Sequence, residues 1–251
     1  MLLTNIKEKV LDCRIIFTLL IIAQAGYWYQ VKAIRPELGI VPNVPSEQTV
    51  SAMSFGDKQF YFRLLAFELQ NAGDTFGRST SLRYYDFNKL FHWFKLMDSI
   101  DSKSNMIPSM ATYYFSQTQN RSDVRYVVDY LYDHATRDIK HKWWWLVQSI
   151  YLSTHRLDDK DLALKVAKPL VNDGVPVWAQ QMVAVVHEKR GEMQDALRIM
   201  ETIKNNASDI KDSDLKYMTY FIKERLGKLD ELEEKNKKLI DKKPQNKNME
   251  K

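Results

Sequence analysis

The stretch Trp145-Leu-Val-Gln148 returns 33 residues later as Trp178-Ala-Gln-Gln181. Eighteen positions after each tryptophan comes Ala-Leu and a basic residue, Ala163-Leu164-Lys165 and then Ala196-Leu197-Arg198. Self-similarity at such a period marks a chain built from stacked copies of one supersecondary unit. A unit of this length holds two amphipathic helices. Neither buries its apolar face alone, and stacking the units makes a continuous core. Chains of this kind mostly hold other molecules rather than transform them.

The sequence around the echo agrees. The chain of 251 residues has only 8 Gly and 7 Pro, and 45% of it is hydrophobic. Between Glu47 and Lys242 the only prolines are Pro108, Pro169 and Pro176. So few breakers, with abundant Lys, Leu, Met, Gln and Glu, predict an all-α fold. After Phe55 the apolar spacing predicts five helical hairpins. The pairs are Lys58–Asn71 with Tyr85–Ser99, Ile107–Gln117 with Ser122–Ala135, and Lys140–His155 with Asp159–Val171. Val175–Lys189 with Met193–Ile203, and Asp212–Leu226 with Lys228–Ile240, complete the set.

The later hairpins resemble tetratricopeptide repeats. Gly191 and Gly227 fall where that family places its turn glycine, and Ala196 where it places the small residue of the second helix. Glu188-Lys189-Arg190-Gly191 is echoed by Glu224-Arg225-Leu226-Gly227, and Asp98 to Ser104 is similar to the family's inter-repeat junction with its Pro replaced. Three positions depart from the pattern: Asp158 replaces the turn Gly, Pro169 enters a second helix, and Leu232 takes a small-residue position. The resemblance covers roughly residues 107–240 and is clearest over 143–239. It implies a right-handed solenoid in which the first helix of each pair lines a concave face. The whole chain, with its apolar N-terminal segment and the run Leu69 to Arg78, also resembles a group of alphaproteobacterial membrane-anchored proteins. That likeness implies an envelope location and supplies no activity.

Outward from the repeats, Ile15 to Val31 is a run of 17 uncharged residues. As a helix it would span roughly 26 Å, just enough for a bilayer core. Lys7, Lys9 and Arg14 precede it and Tyr27-Trp28-Tyr29 close it, as at a membrane interface. Beside an amphipathic soluble helix, two membrane-directing readings stay open: an uncleaved anchor over 15–32, or a signal peptide cut after Ala23-Gln24-Ala25. Either places residues 1–14 in the cytoplasm and the rest in the periplasm of a bacterial inner membrane. Cys13 is the only cysteine, so no intramolecular disulfide can form. Residues 33–54, with Pro36, Pro42 and Pro45, read as an extended spacer or as a segment packed across the first helices. The repeat domain then runs over 55–241. The formal charge of +5 gathers in the lysines near the C-terminus, and 242–251 reads as a solvated basic tail.

The resemblance carries groove positions onto this chain. In the third hairpin these are Trp145, Gln148, Ser149, Leu152, His155 and Arg156. In the fourth they are Trp178, Gln181, Met182, Val185, Glu188 and Lys189, and in the fifth Tyr217, Met218, Phe221 and Arg225. Trp and Gln recurring at equivalent sites would make a short ladder of apolar anchors and amides for another protein's segment. The alternative is that both tryptophans are buried between helices. Trp143-Trp144-Trp145 adds a constraint. Consecutive helical side chains point about 100° apart, so at least one of the three must leave the buried face.

The connection Asn71 to Arg83 is longer than a helical hairpin requires. Asp74, Phe76 and Arg78 make it a candidate binding loop, or a self-packed loop plugged by Phe76. Motifs for catalysis or metal binding are missing: His187-Glu188 has no second His at zinc spacing, and no phosphate-cradling Gly loop occurs. The expectation is a membrane-tethered interaction scaffold with a protein or peptide partner. No cofactor, metal or nucleic acid is expected. A self-associating structural protein and an enzyme acting on envelope polymers are its rivals.

Overall fold

The computed structural model describes residues 2–32, 39–75, 78–206 and 210–225. The chain divides into two units, Met1–Pro42 and Asn43–Lys251. The first holds one long helix, α1 (Leu2–Val31). Its apolar run is uncovered: Ile15, Ile16, Phe17, Leu19 to Ile22, Tyr27, Trp28 and Tyr29 are all exposed. The Lys32 ammonium lies 3.9 Å from the centroid of the Tyr29 ring. Among the described residues no helix is long and apolar enough to cross a membrane. Gln24, Gly26 and Gln30 dilute the second half of the run that the sequence offers as a span.

The second unit begins with the packed alternative for the end of residues 33–54 rather than an extended spacer. Part of the expected spacer is helical, α2 (Glu47–Met53), and Val50 is buried. Ser46 starts it: its hydroxyl oxygen accepts from the Thr49 amide at 3.1 Å, satisfying an orphan donor of the first turn. Residues 33–38 of that spacer lie outside the described residues.

The hairpins follow in the expected order. They are α3 (Lys58–Gln70) with α4 (Phe87–Ile100), and α5 (Met106–Tyr113) with α6 (Val124–Thr136). Next come α7 (Ile139–Tyr151) with α8 (Lys160–Ala167), and α9 (Val177–Gln180) and α10 (Met182–Arg190) with α11 (Met193–Asn206). α12 (Asp212–Tyr220) stands where the first helix of the expected fifth pair would lie. Its partner at Lys228–Ile240, with Gly227, Leu232 and the basic tail, lies outside the described residues. Aspartates cap three of these helices: Asp57, Asp86 and Asp159 accept from the amides of Phe60, Lys89 and Leu162. Pro169 ends α8 as its missing amide requires, and a 3-10 turn, Lys168–Leu170, follows. Asp98 and Ser99 belong to the last turn of α4, so the connection to α5 starts only at Asp101.

Helices within a pair pack on each other, and the first helix of a pair also meets the preceding pair. Thus α5 touches α3 and α4, α7 touches α6, α9 touches α7, and α10 touches α8. The core is aromatic in its first half, where Phe94 lies 5.0 Å from Tyr130 and 5.5 Å from Phe115 between ring centroids. It is small-residue in the second half, where Ala163, Ala167, Ala184 and Ala196 are buried and let neighbouring backbones close up.

One turn sets the register between the third and fourth helix pairs. Gly191 ends α10 in the left-handed region at φ 84°, where a side chain would be strained. Asp158 holds the same place in the third pair at φ 55°. Before it, α7 continues as a wide π turn, Leu152–Leu157, which accommodates one extra residue.

Candidate partner-binding groove

The extra residue changes which side chains correspond. After the turns the period is 33 residues, and Ala163 and Ala196 are both buried. Before the turns it is 34, so the counterpart of Trp178 is Trp144 rather than Trp145. Burial follows that register. Trp145 and its counterpart Ala179 are buried, whereas Trp144 and Trp178 are 39% and 38% exposed.

The groove face follows helical spacing from these two indoles. On α7 and its continuation it comprises Trp144, Val147, Gln148, Tyr151 and His155; on α9 and α10, Trp178, Met182, Val185 and Lys189. Val147, Gln148, Tyr151, Thr154, His155, Met182, Val185 and Lys189 line a groove of about 290 Å³. Its floor is apolar, with the Gln148 amide among it. At one end Lys189 Nζ lies 3.3 Å from His155 Nε2. Toward the other end the rings of Trp143, Trp144 and Trp178 gather edge to face, with centroids 5.2 to 6.3 Å apart. Trp144 Nε1 donates to the Tyr113 hydroxyl at 3.3 Å, linking this cluster to the second pair.

The expected site residues therefore divide. Gln148, Met182 and Lys189 line the groove, and Trp178 stands in the aromatic cluster beside it. Trp145, Leu152, Gln181 and Phe221 are buried and are corrected to core positions. Arg156 is also structural: its guanidinium donates to the carbonyls of Ser116 and Thr118, at 3.1 and 2.7 Å. Tyr217 is exposed on α12 with its ring 6.2 Å from that of Phe221. The constraint on Trp143-Trp144-Trp145 holds, since one ring is half-buried, one exposed and one buried.

The loop after α3 is tied to the turn after α5. A minimal antiparallel pair, β1 (Asp74–Thr75) with β2 (Arg78–Ser79), forms its tip. Phe76 lies outside the described residues. Gln119 Oε1 accepts from the Ser81 hydroxyl and the Arg83 amide, and Asn120 donates to the Arg83 carbonyl at 3.1 Å. Tyr85 donates its hydroxyl proton to the Ala72 carbonyl. Burial, then the neighbouring Tyr114 and Asp74, pushes the Tyr85 hydroxyl up to about 12. These bonds favour the self-packed reading of the loop.

Two clusters escape the sequence reading. Asp98, buried in α4, accepts from the Tyr130 hydroxyl at 2.9 Å and from His134 Nδ1 at 2.7 Å, with Arg137 at 3.4 Å. Burial first, and the Asp98 carboxylate second, push the Tyr130 hydroxyl far above its usual range, so it stays a donor. Asp98, Tyr130 and His134 are buried while the Arg137 side chain reaches solvent, and the cluster ties α4 to α6. At the α10–α11 turn, His187, Glu192 and Asp195 bring possible ligand atoms within 4.8 Å of one another. His187 first, and then Arg190, hold the Glu192 carboxyl below its ordinary range. Arg190 Nε already donates to Glu192 Oε1 at 2.8 Å, so a cation there would meet a guanidinium. Neither cluster has a local sequence signature, because each is assembled across a turn or between helices.

No protein-family model, curated protein or solved structure matches this chain.

Proposed function

We propose that the chain is a membrane-tethered docking or assembly scaffold. It binds an extended segment or a helix of another protein along the first-helix face of a tetratricopeptide-like solenoid. The observation that carries this is the cluster of exposed Trp144, Trp178 and Tyr113 around half-buried Trp143 at the mouth of the α7–α10 groove. Trp, Tyr and Arg side chains dominate the energetics of interfaces, and exposed tryptophans in a cluster are unusual on a surface with no partner. The groove beside them offers what a peptide needs: apolar floor for side chains, the Gln148 amide for backbone, and Lys189 for an acidic group.

The tether is α1. Lys7, Lys9 and Arg14 before the apolar run favour a cytoplasmic N-terminus, which puts the repeat domain in the periplasm of a bacterial inner membrane. A run this short would be met by local thinning of the bilayer and by its terminal aromatics at the interface. The role requires no metal, cofactor or nucleic acid.

Replacing Trp144 and Trp178 together by alanine tests the reading. Partner crosslinking should be lost with helical content unchanged. A double variant that unfolds would place these rings in the core and remove the proposal.

A further inference from the structure

The helix α3 carries two apolar faces. Phe62, Leu65, Ala66 and Leu69 are buried against the rest of the second unit. On the opposite side Phe60, Leu64 and Phe67 follow the i, i+4, i+7 spacing of a single stripe, and all three are exposed. Among the described residues of the second unit nothing buries this stripe. Just before the helix, Phe55 has φ 47°, followed by Gly56 at φ 90°, and the Phe55 ring is 91% exposed. A bulky residue in the left-handed region is rare, and such backbone strain concentrates where function requires it. Arg63 borders the stripe on one side and Glu68 on the other.

We propose that this stripe, with Phe55, lies on the lipid–water interface, so that the first hairpin docks on the membrane that α1 enters. The inference rests on the tether proposed above. Between α1 and α2, residues 32–46 can reach at most about 50 Å fully extended, which confines α3 to the neighbourhood of the bilayer. At that effective concentration a weak interfacial contact is populated. The side chains suit it: Phe and Leu enter the headgroup boundary while an arginine at the edge meets lipid phosphate. A soluble partner's groove would have no such proximity argument. The consequence is orientation, because a docked first hairpin fixes how the α7–α10 groove faces the periplasm.

The test uses the full chain, with Cys13→Ser, in vesicles of phosphatidylethanolamine and phosphatidylglycerol. Single cysteines at Leu64, Phe17 and Glu201 carry a nitroxide, and collision with oxygen is compared with collision with a water-soluble nickel chelate. The expected result is oxygen-dominated relaxation at 64 and 17 and nickel-dominated relaxation at 201. Adding Phe60→Asp and Phe67→Asp should return position 64 to water, with the circular dichroism unchanged. Water at 64 with lipid at 17 overturns the docked stripe and leaves the tether standing. Water at 17 overturns the tether, and this inference loses its premise with it. Spin–spin broadening at 64 that vanishes on dilution with unlabelled chain overturns lipid docking in favour of a second copy.

Discussion

Trp144 and Trp178 hold equivalent positions in two successive helix pairs, and their indole centroids lie 6.3 Å apart. Trp145, which the sequence aligns with Trp178, points into the core instead. The whole functional reading turns on that one-residue difference.

It separates two alanine substitutions that are neighbours in sequence. Trp145→Ala empties a buried site and should cost about 3–5 kcal/mol. Trp144→Ala removes an exposed ring and one long hydrogen bond, and should cost no more than about 1 kcal/mol. Urea unfolding followed by far-UV circular dichroism measures both. Equal losses would mean that the register is wrong.

Asp98 ties α4 to α6 through Tyr130 and His134. Asp98→Ala strips a buried network of its only carboxylate and should destabilise by about 3–5 kcal/mol. Tyr130→Phe loses a single bond to a charged acceptor, about 1.5–3 kcal/mol. A tolerated Asp98→Ala would show that the network is dispensable to the fold.

Alkaline pH should weaken the fold through Tyr85. Its hydroxyl is raised to about 12, above the unfolded value of 10.0. The folded state therefore holds the proton more tightly. The stabilisation is complete below pH 10 and is lost as pH rises toward 12. Tyr85→Phe should be less stable at pH 7 by about 1 kcal/mol, the net value of its hydrogen bond to the Ala72 carbonyl. That deficit should shrink between pH 10 and 12. A deficit independent of pH would contradict the assignment.

Asp158 sits at φ 55° where Gly191 serves the next pair. A left-handed conformation costs a non-glycine residue on the order of 1–2 kcal/mol, partly offset by the greater chain entropy of glycine. Asp158→Gly should raise stability by about 0.5–1 kcal/mol, read as a higher urea midpoint at an unchanged slope.

Much of this fold was readable from local chemistry. Sparse breakers, helical spacing and the Ala163–Ala196 echo predict the order of the helices, and Gly191 predicts its turn. Capping by Ser46 explains α2, where three prolines left an extended spacer and a packed segment equally open. The groove register was not readable. A π turn adds a residue without disturbing the apolar pattern, and matching Trp to Trp hides it. The Asp98 and Glu192 clusters were equally silent, because the first forms between packed helices and the second only once the α10–α11 turn closes. The buried face of α3 was legible from spacing, whereas the second stripe of Phe60, Leu64 and Phe67 was hidden in an evenly hydrophobic helix.

The central claim is that a partner protein lies across the Trp144–Trp178 face. A photo-crosslinking residue placed in turn at Trp144, Tyr151 and Trp178, and at the exposed second-helix positions Lys165 and Glu201, tests it directly in intact membranes. The account predicts one common protein adduct from the first three positions and none from the last two. Equal labelling from both faces, or adducts only between copies of this chain, would contradict it.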